Sequence, residues 1–378
     1  LVAEKGEIVL HDALGFAVAE PEKIEAKVDT IYDLASLTKP LVTGLLCAKL
    51  LETGEIKLSD KVTRYFDQFN TDEKRNISIH NLLLHDSGFQ AWAPFYLLDG
   101  APALDSHHYA GMPDKRISDF VLDQIAGRPL ANPVGSIVVY SDFNFLLLGF
   151  IVEKIYGQQL SSLMAAKICE PLGLSRTFFA GADTLKQEVA ASEKGNEYER
   201  KTCIELGYLQ PSGIARGTDN RPAEAGTQYA FRDYQIWGEV HDGNAYFMGG
   251  AAGHAGLFST AEEIFIIAQQ FLPAYTTLLK PKTCELFRTN FTPRMNEDRS
   301  FAFQLASTKD STAGTQMSPE SFGHLGFTGT SLWIDPVKER IFVLLTNRTH
   351  DHPLPFLNIN SVRRRFHDMA IDFFEKKS

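Results

Sequence analysis

The apolar positions change their spacing along the chain, and each spacing predicts a different element. Residues 1–10 and 15–19 are apolar and β-rich, with Lys5-Gly6 as a turn signal, and predict the start of an antiparallel sheet. From Ser36 to Leu51 the pattern turns helical. Leu37, Leu41, Val42, Leu45, Leu46 and Leu50 cover nearly the whole circumference, which predicts a central, buried helix. Pro40 falls in its early turns, where proline is tolerated, and Gly54 lies just past its end, where a C-terminal cap belongs. Between about residues 60 and 272 the pattern reads as helices joined by long loops rich in Gly, Pro, Asn and Asp. Strand character returns at 301–306, 323–334 and 340–346, with Asp335-Pro336 as a turn between the last two, and residues 358–376 close the chain as a helix.

Strands at both ends with helices between them predict an α+β fold of α/β sandwich type. An antiparallel sheet formed by both chain ends is flanked by helices, and a mostly helical lobe is inserted between its halves. The expected organisation is a single domain over 1–378, with a sheet lobe at about 1–59 and 274–378 and a helical lobe at about 60–273.

Composition narrows the function classes. The chain is 44% hydrophobic and 22% charged, an ordinary globular balance, and its formal charge of −10 offers no footprint for nucleic acid or an anionic membrane. Its one basic run, Arg363-Arg364-Arg365, reads as a solvated helix face. The four cysteines, Cys47, Cys169, Cys203 and Cys284, are far apart and form neither a zinc motif nor a disulfide framework, so they are expected as small buried hydrophobes. Apolar runs such as 145–152 fall short of the roughly 18 residues that span a bilayer. The opening Leu1-Val2-Ala3-Glu4 already reads as strand, and residues upstream of it are expected: a signal peptide, an anchor or a further domain.

Three segments carry candidate chemistry. Ser36-Leu37-Thr38-Lys39 is the only Ser-x-x-Lys in the chain, and on a helix this spacing stacks both side chains on one face. A serine hydroxyl is a weak nucleophile unless a base takes its proton, and a desolvated lysine of lowered pKa is one such base. Alone, the pattern also fits a buried helix with one surface lysine. Tyr140-Ser141-Asp142 precedes the helical stretch 143–156; Asp142 or Ser141 can cap it, leaving Tyr140 on the turn as a second base or as a packed tyrosine. In the segment Gly323-His324-Leu325-Gly326-Phe327-Thr328-Gly329-Thr330, glycines allow another backbone to approach, either for substrate or for no special purpose.

Taken together, in this order and spacing, the three segments resemble the motifs of the class C β-lactamase, D-alanyl-D-alanine peptidase and related esterase family. Residues 81–88 (NLLLHDSG), 240–260 and 326–336 are similar to it as well, so the resemblance covers nearly the whole chain. It implies the β-lactamase/DD-peptidase fold and a serine hydrolase that works through an acyl-enzyme. Ser36 would be the nucleophile, with Lys39 and Tyr140 sharing the proton work. Asp142 would orient Lys39 and substrate, and His324, Gly326 and Phe327 would form the substrate-binding edge. The backbone N–H groups of Ser36 and Phe327 would make the oxyanion hole. The implied partner is a small-molecule or peptide acyl substrate, with no cofactor and no metal. Relatives acting on cell-wall peptides favour a periplasmic or otherwise extracytoplasmic location, and oligomeric state is not indicated.

The sequence departs from the family pattern at Asp142, where asparagine is usual, and at His324-Leu325, where lysine and threonine are usual. An acceptor carboxylate thus replaces a donor amide, and a mostly neutral imidazole and an apolar side chain replace two carboxylate-binding groups. Neutral esters or modified peptides are therefore expected to be better substrates than β-lactams, with binding of anions strengthening as His324 protonates near pH 6 to 7. Rival readings are weaker. His80, His85, His107-His108 and His350-Asp351-His352 show no His-Glu-x-x-His spacing, and the chain has no Gly-x-Ser-x-Gly elbow. His254 reads either as shaping the cleft or as ordering its Gly-rich loop. A penicillin- or muropeptide-binding module without turnover is the alternative function, although it would have no need of both bases.

Overall fold

In the computed structural model, which describes residues 1–104, 114–180, 182–210 and 231–376, both chain ends enter one seven-stranded antiparallel sheet. Its order is Glu7–Leu10, Val2–Glu4, Arg340–Leu344, Ser331–Asp335, Phe322–Leu325, Phe303–Leu305, Arg299–Ser300. Alternation along the strands sorts side chains between its two faces. Trp333 pairs with Phe342, and both pack with Ala370, Ile371 and Phe374 of the closing helix Asn360–Glu375. The neighbouring pairs Leu332/Val343 and Ile334/Ile341 belong instead to the main core, which continues into the helices. Edge-to-face packing of Phe271, Phe287, Phe301 and Phe303 fills the space below the late strands.

Several elements differ from expectation. The run 323–334 is two strands, not one, because Gly326 donates to Thr330 O at 2.8 Å and Gly329, at φ +110°, turns the chain back. A Cβ on Gly326 would lie 2.0 Å from Thr330 Oγ1 and 2.5 Å from Leu34 O, so only glycine lets this turn reach the segment before Ser36. The helix expected from Ser36 to Leu51 comprises a 3₁₀ turn Ala35–Leu37, a π-helical stretch Lys39–Gly44 and an α-helix Leu45–Thr53 capped by Gly54. Pro40 has no N–H to give and its ring crowds the carbonyl four residues back, which accounts for the widened turns. Strand Phe16–Val18 pairs with Ile24–Glu25 outside the main sheet. A small sheet that the pattern did not predict joins Tyr32–Asp33 and Phe178–Phe179 to Leu257–Ser259.

The basic run is not a solvated face. Arg363 is buried and donates to Gly326 O at 3.0 Å and Thr330 O at 2.9 Å; only Arg365 of the three is exposed. It pins the 326–330 turn from below. All four cysteines are buried and unpaired, as expected of small hydrophobes. Among the described residues no helix is long and apolar enough to cross a membrane.

The closing helix also carries a test of stability. His367 is fully buried, its ring bonds Thr312 O at 2.8 Å, and burial holds its pKa down at about 4. The unfolded chain takes up this proton below about 6.5 while the fold refuses it, so stability falls as pH drops from that value towards 4. The full effect of this one residue is about 3 kcal/mol. Urea unfolding at pH 7 and pH 4.5 should show a clear loss of stability that shrinks in His367→Gln.

Candidate active site

Ser36 sits on the 3₁₀ turn, directly after Ala35, whose φ of +47° is a conformation that residues with a Cβ rarely adopt. Buried Asp33 holds this turn in place. Its Oδ1 accepts the Ala35 N–H at 2.8 Å and its Oδ2 accepts the His241 N–H at 2.7 Å. From the other side Thr328 Oγ1 donates to Asp33 O at 2.7 Å and Thr330 Oγ1 to Leu34 O at 3.0 Å. The nucleophile loop is thereby fixed to both the 326–330 turn and the 241 loop.

Lys39 lies one turn on and is wholly buried. Its Nζ donates to Ser36 Oγ at 2.9 Å and to His254 O at 3.0 Å, and pairs with Asp142 Oδ1 at 2.7 Å. The expectation of a lysine of lowered pKa is corrected here. Burial pushes the pKa down, but Asp142 and Tyr140 outweigh it and the ammonium is held above the ordinary lysine value. Tyr140 is raised too: burial disfavours its phenolate more than Lys39 favours it. Both bases expected from sequence therefore rest protonated.

Tyr140 and Asp142 reach the site because the helix Asp142–Tyr156 starts there, with the Asp142 N–H held by Ala91 O at 2.9 Å. The Tyr140 ring lies 4.9 Å from Lys39 Nζ and packs against His85, with centroids 4.6 Å apart and the planes tilted by 38°. Its buried hydroxyl makes no hydrogen bond of ordinary geometry, yet Ser36 and Lys39 both act on its ionisation. His85 Nδ1 accepts from the Ser141 N–H at 3.0 Å, so it orders the second motif. His324 is buried with its ring against Leu325 O at 2.9 Å and 5.7 Å from the Tyr140 ring. Burial first, then Lys39 and Arg299, hold its pKa well below 6.5. It is neutral throughout pH 6 to 7, and the expected protonation there does not occur.

Ser36, Tyr140, Asp142, His324, Gly326 and Phe327 all line one cavity of about 620 Å³, with Lys39 beneath its floor. The site residues named from sequence are thus brought together. Of the loop aromatics expected to form an apolar cleft, Trp92 lines it. Phe95, Tyr96 and Trp237 are buried in packing, Tyr208 is half-buried, and Tyr229 lies outside the described residues. The aromatic wall is formed instead by Tyr198 and Phe327, 4.6 Å apart, with Arg348 over Phe327.

Among the remaining histidines, His352 is exposed and others have structural partners. His350 accepts from Ala19 N–H and bonds Ser192 O, His80 packs edge-on against Phe291, and His107-His108 lie outside the described residues. His254 orders its loop. Its ring pairs with Asp242 at 3.0 Å, its carbonyl accepts a hydrogen bond from Lys39 Nζ, and Gly253 beside it fits against Phe145 O, where a Cβ would lie only 2.1 Å away. Asp142, Asp242 and His254 gather within 4.8 Å, the one cluster of metal-ligand type found among the described residues. The cation that these groups surround is the Lys39 ammonium itself. Sequence reasoning missed Asp33, Asp242 and Arg299. The last is a buried guanidinium over the Tyr140 ring, paired to Glu297 at 2.8 Å. Asp33, an acid inside the apolar run Ile31 to Leu34, was the one signal available.

The chain resembles known proteins over most of its length. The family model described as Beta-lactamase matches residues 1–363. A protein named "Putative D-alanyl-D-alanine carboxypeptidase" from Escherichia coli (strain K12) is 31% identical over 376 residues, 93% of this chain and 78% of that protein. Among solved structures, EstCE1, "a hydrolase with promiscuous acyltransferase activity", superposes with a TM-score of 0.67 at 20% identity, covering 97% of this chain and 92% of that one. The octameric penicillin-binding protein homologue from Pyrococcus abyssi gives 0.66 at 18% identity, over 98% and 72%. The chain belongs to the β-lactamase family. Its class is that of a serine hydrolase with the β-lactamase and penicillin-binding protein fold.

Proposed function

We propose that Ser36 is acylated by ester or amide carbonyls and that the protein releases the acyl group to water. The observation that carries this reading is the 2.9 Å contact between Ser36 Oγ and Lys39 Nζ at the floor of the cleft. Ser36 attacks as its proton passes to Lys39, which gives up a proton of its own in the same step, and the negative oxygen settles between the N–H groups of Ser36 and Phe327. Tyr140 stands where a proton can be handed to the leaving group, and a water then repeats the sequence in reverse. Asp33 supports the step by holding Ala35 and the 241 loop rigid, so the oxyanion donors need no rearrangement during reaction.

Neutral esters and peptides are the favoured substrates in this reading, since His324 stays uncharged and Leu325 offers no hydrogen bond to a carboxylate. The names of the relatives, one a carboxypeptidase and one a hydrolase with acyltransferase activity, support acyl transfer and leave the acyl donor open. A panel of a neutral chromogenic ester, a D-alanyl-D-alanine peptide and a penicillin tests the reading. The ester should be turned over faster than the penicillin, with a ratio that does not change between pH 6 and pH 7. Penicillin turnover equal to ester turnover would overturn the preference.

A further inference from the structure

Three oxygens lie within 3.0 Å of the Lys39 ammonium, two as hydrogen-bond acceptors and the third as an ion-pair partner. These are Ser36 Oγ at 2.9 Å, His254 O at 3.0 Å and Asp142 Oδ1 at 2.7 Å. A lysine in this state has no lone pair with which to take the proton of Ser36. One of its own protons must leave first, and of the three oxygens only that of the Asp142 carboxylate carries a negative charge with which to receive it. The expectation drawn from sequence gave Asp142 an orienting role, for which an asparagine serves equally well.

The geometry points to Asp142 as the proton acceptor that turns Lys39 into a base, giving a Ser36-Lys39-Asp142 line. As Ser36 Oγ attacks the carbonyl carbon, its O–H bond breaks and a new Nζ–H bond forms. At the other end of Lys39 a different Nζ–H bond breaks and an Oδ1–H bond forms on Asp142. Lys39 is an ammonium before and after the step, Asp142 ends neutral, and the charge lost there appears on the substrate oxygen. When the tetrahedral species collapses the path reverses: Asp142 returns its proton to Lys39, and Lys39, directly or through Tyr140, protonates the leaving alkoxide or amine. No further reactant is needed.

The surroundings of Asp142 fit this role. Lys39 faces it from the nucleophile helix, Tyr140 from its own turn, and Asp242 with His254 from the loop across the site, within 4.8 Å. Asp242 is paired to His254, so one carboxylate stays ionised beside Lys39 when Asp142 is neutralised. The Asp142 side chain is 16% exposed and lines the cleft, so it meets the reacting groups directly.

The inference rests on the acyl-enzyme reading above, and its test separates the two. Asp142→Asn keeps an oxygen for Lys39 and removes the proton acceptor. It should lower kcat for a neutral ester, and the rate at which a phosphonate probe labels Ser36, by about 100-fold or more, the usual worth of a general base, with KM changed only a few-fold. Asp142→Glu, which restores a carboxylate, should recover part of that loss and also serves if the Asn protein does not fold. A folded Asn protein with wild-type kcat, or Asn and Glu variants equally impaired, would overturn the assignment and leave Asp142 a positioning residue. Ester hydrolysis undiminished in Ser36→Ala would instead overturn the acyl-enzyme reading itself.

Discussion

Replacing Ser36 by alanine should lower hydrolysis of a short-chain chromogenic ester by roughly 10⁴- to 10⁶-fold, the scale of loss when a catalytic nucleophile is removed. The fold has no stake in the hydroxyl. Ser36 is only half-buried, and Lys39 keeps its ion pair with Asp142 and its hydrogen bond to His254 O when the serine oxygen is gone. Thermal melting should therefore match the wild type, which separates lost chemistry from lost structure. The binding-module alternative makes the opposite forecast, since a protein with no turnover has no hydrolysis to lose.

Lys39→Met should be nearly as damaging to activity and yet harmless to the fold. Removing the group that takes the Ser36 proton should cost about 10³-fold or more in kcat/KM, on the order of 4 kcal/mol of transition-state stabilisation. Stability should not follow. Asp142 and Tyr140 outweigh the burial of the Lys39 charge, but methionine fills the same volume with no charge to desolvate, so both sides of that balance are removed together. Asp142, which borders the cleft, can turn to solvent. The melting temperature should change little while turnover collapses. A variant that loses both together would mean that Lys39 is chiefly a structural ion-pair member.

What could be read from sequence was local. Ser36 and Lys39 are three residues apart, and Tyr140 and Asp142 two apart at a helix start, so short-range geometry alone brings each pair together. The strand pattern at both chain ends was legible because Trp333, Phe342 and their neighbours alternate so regularly between two faces. What escaped was long-range. Asp33 acts on His241, more than 200 residues away, and no local signal names that partner. Arg363 looked like part of a surface run because its acceptors, Gly326 O and Thr330 O, come from another element. The sign of the Lys39 shift was misjudged for the same kind of reason. Desolvation could be foreseen from a buried helix, but the 2.7 Å approach of Asp142 that outweighs it could not. Likewise the neutral state of His324 at pH 6 to 7 follows from burial, from Lys39 and from Arg299, which stands two strands away in the sheet and which the linear pattern did not mark.

Intact-protein mass spectrometry after rapid acid quenching, followed by peptide mapping, tests the central claim most directly. The protein would be mixed with an ester or phosphonate that acylates or phosphonylates serine hydrolases. A covalent adduct on the peptide containing Ser36, absent from Ser36→Ala, is the result the structure predicts. Turnover of the ester with no adduct on Ser36, or an adduct that persists on another residue of the Ser36→Ala protein, would contradict it.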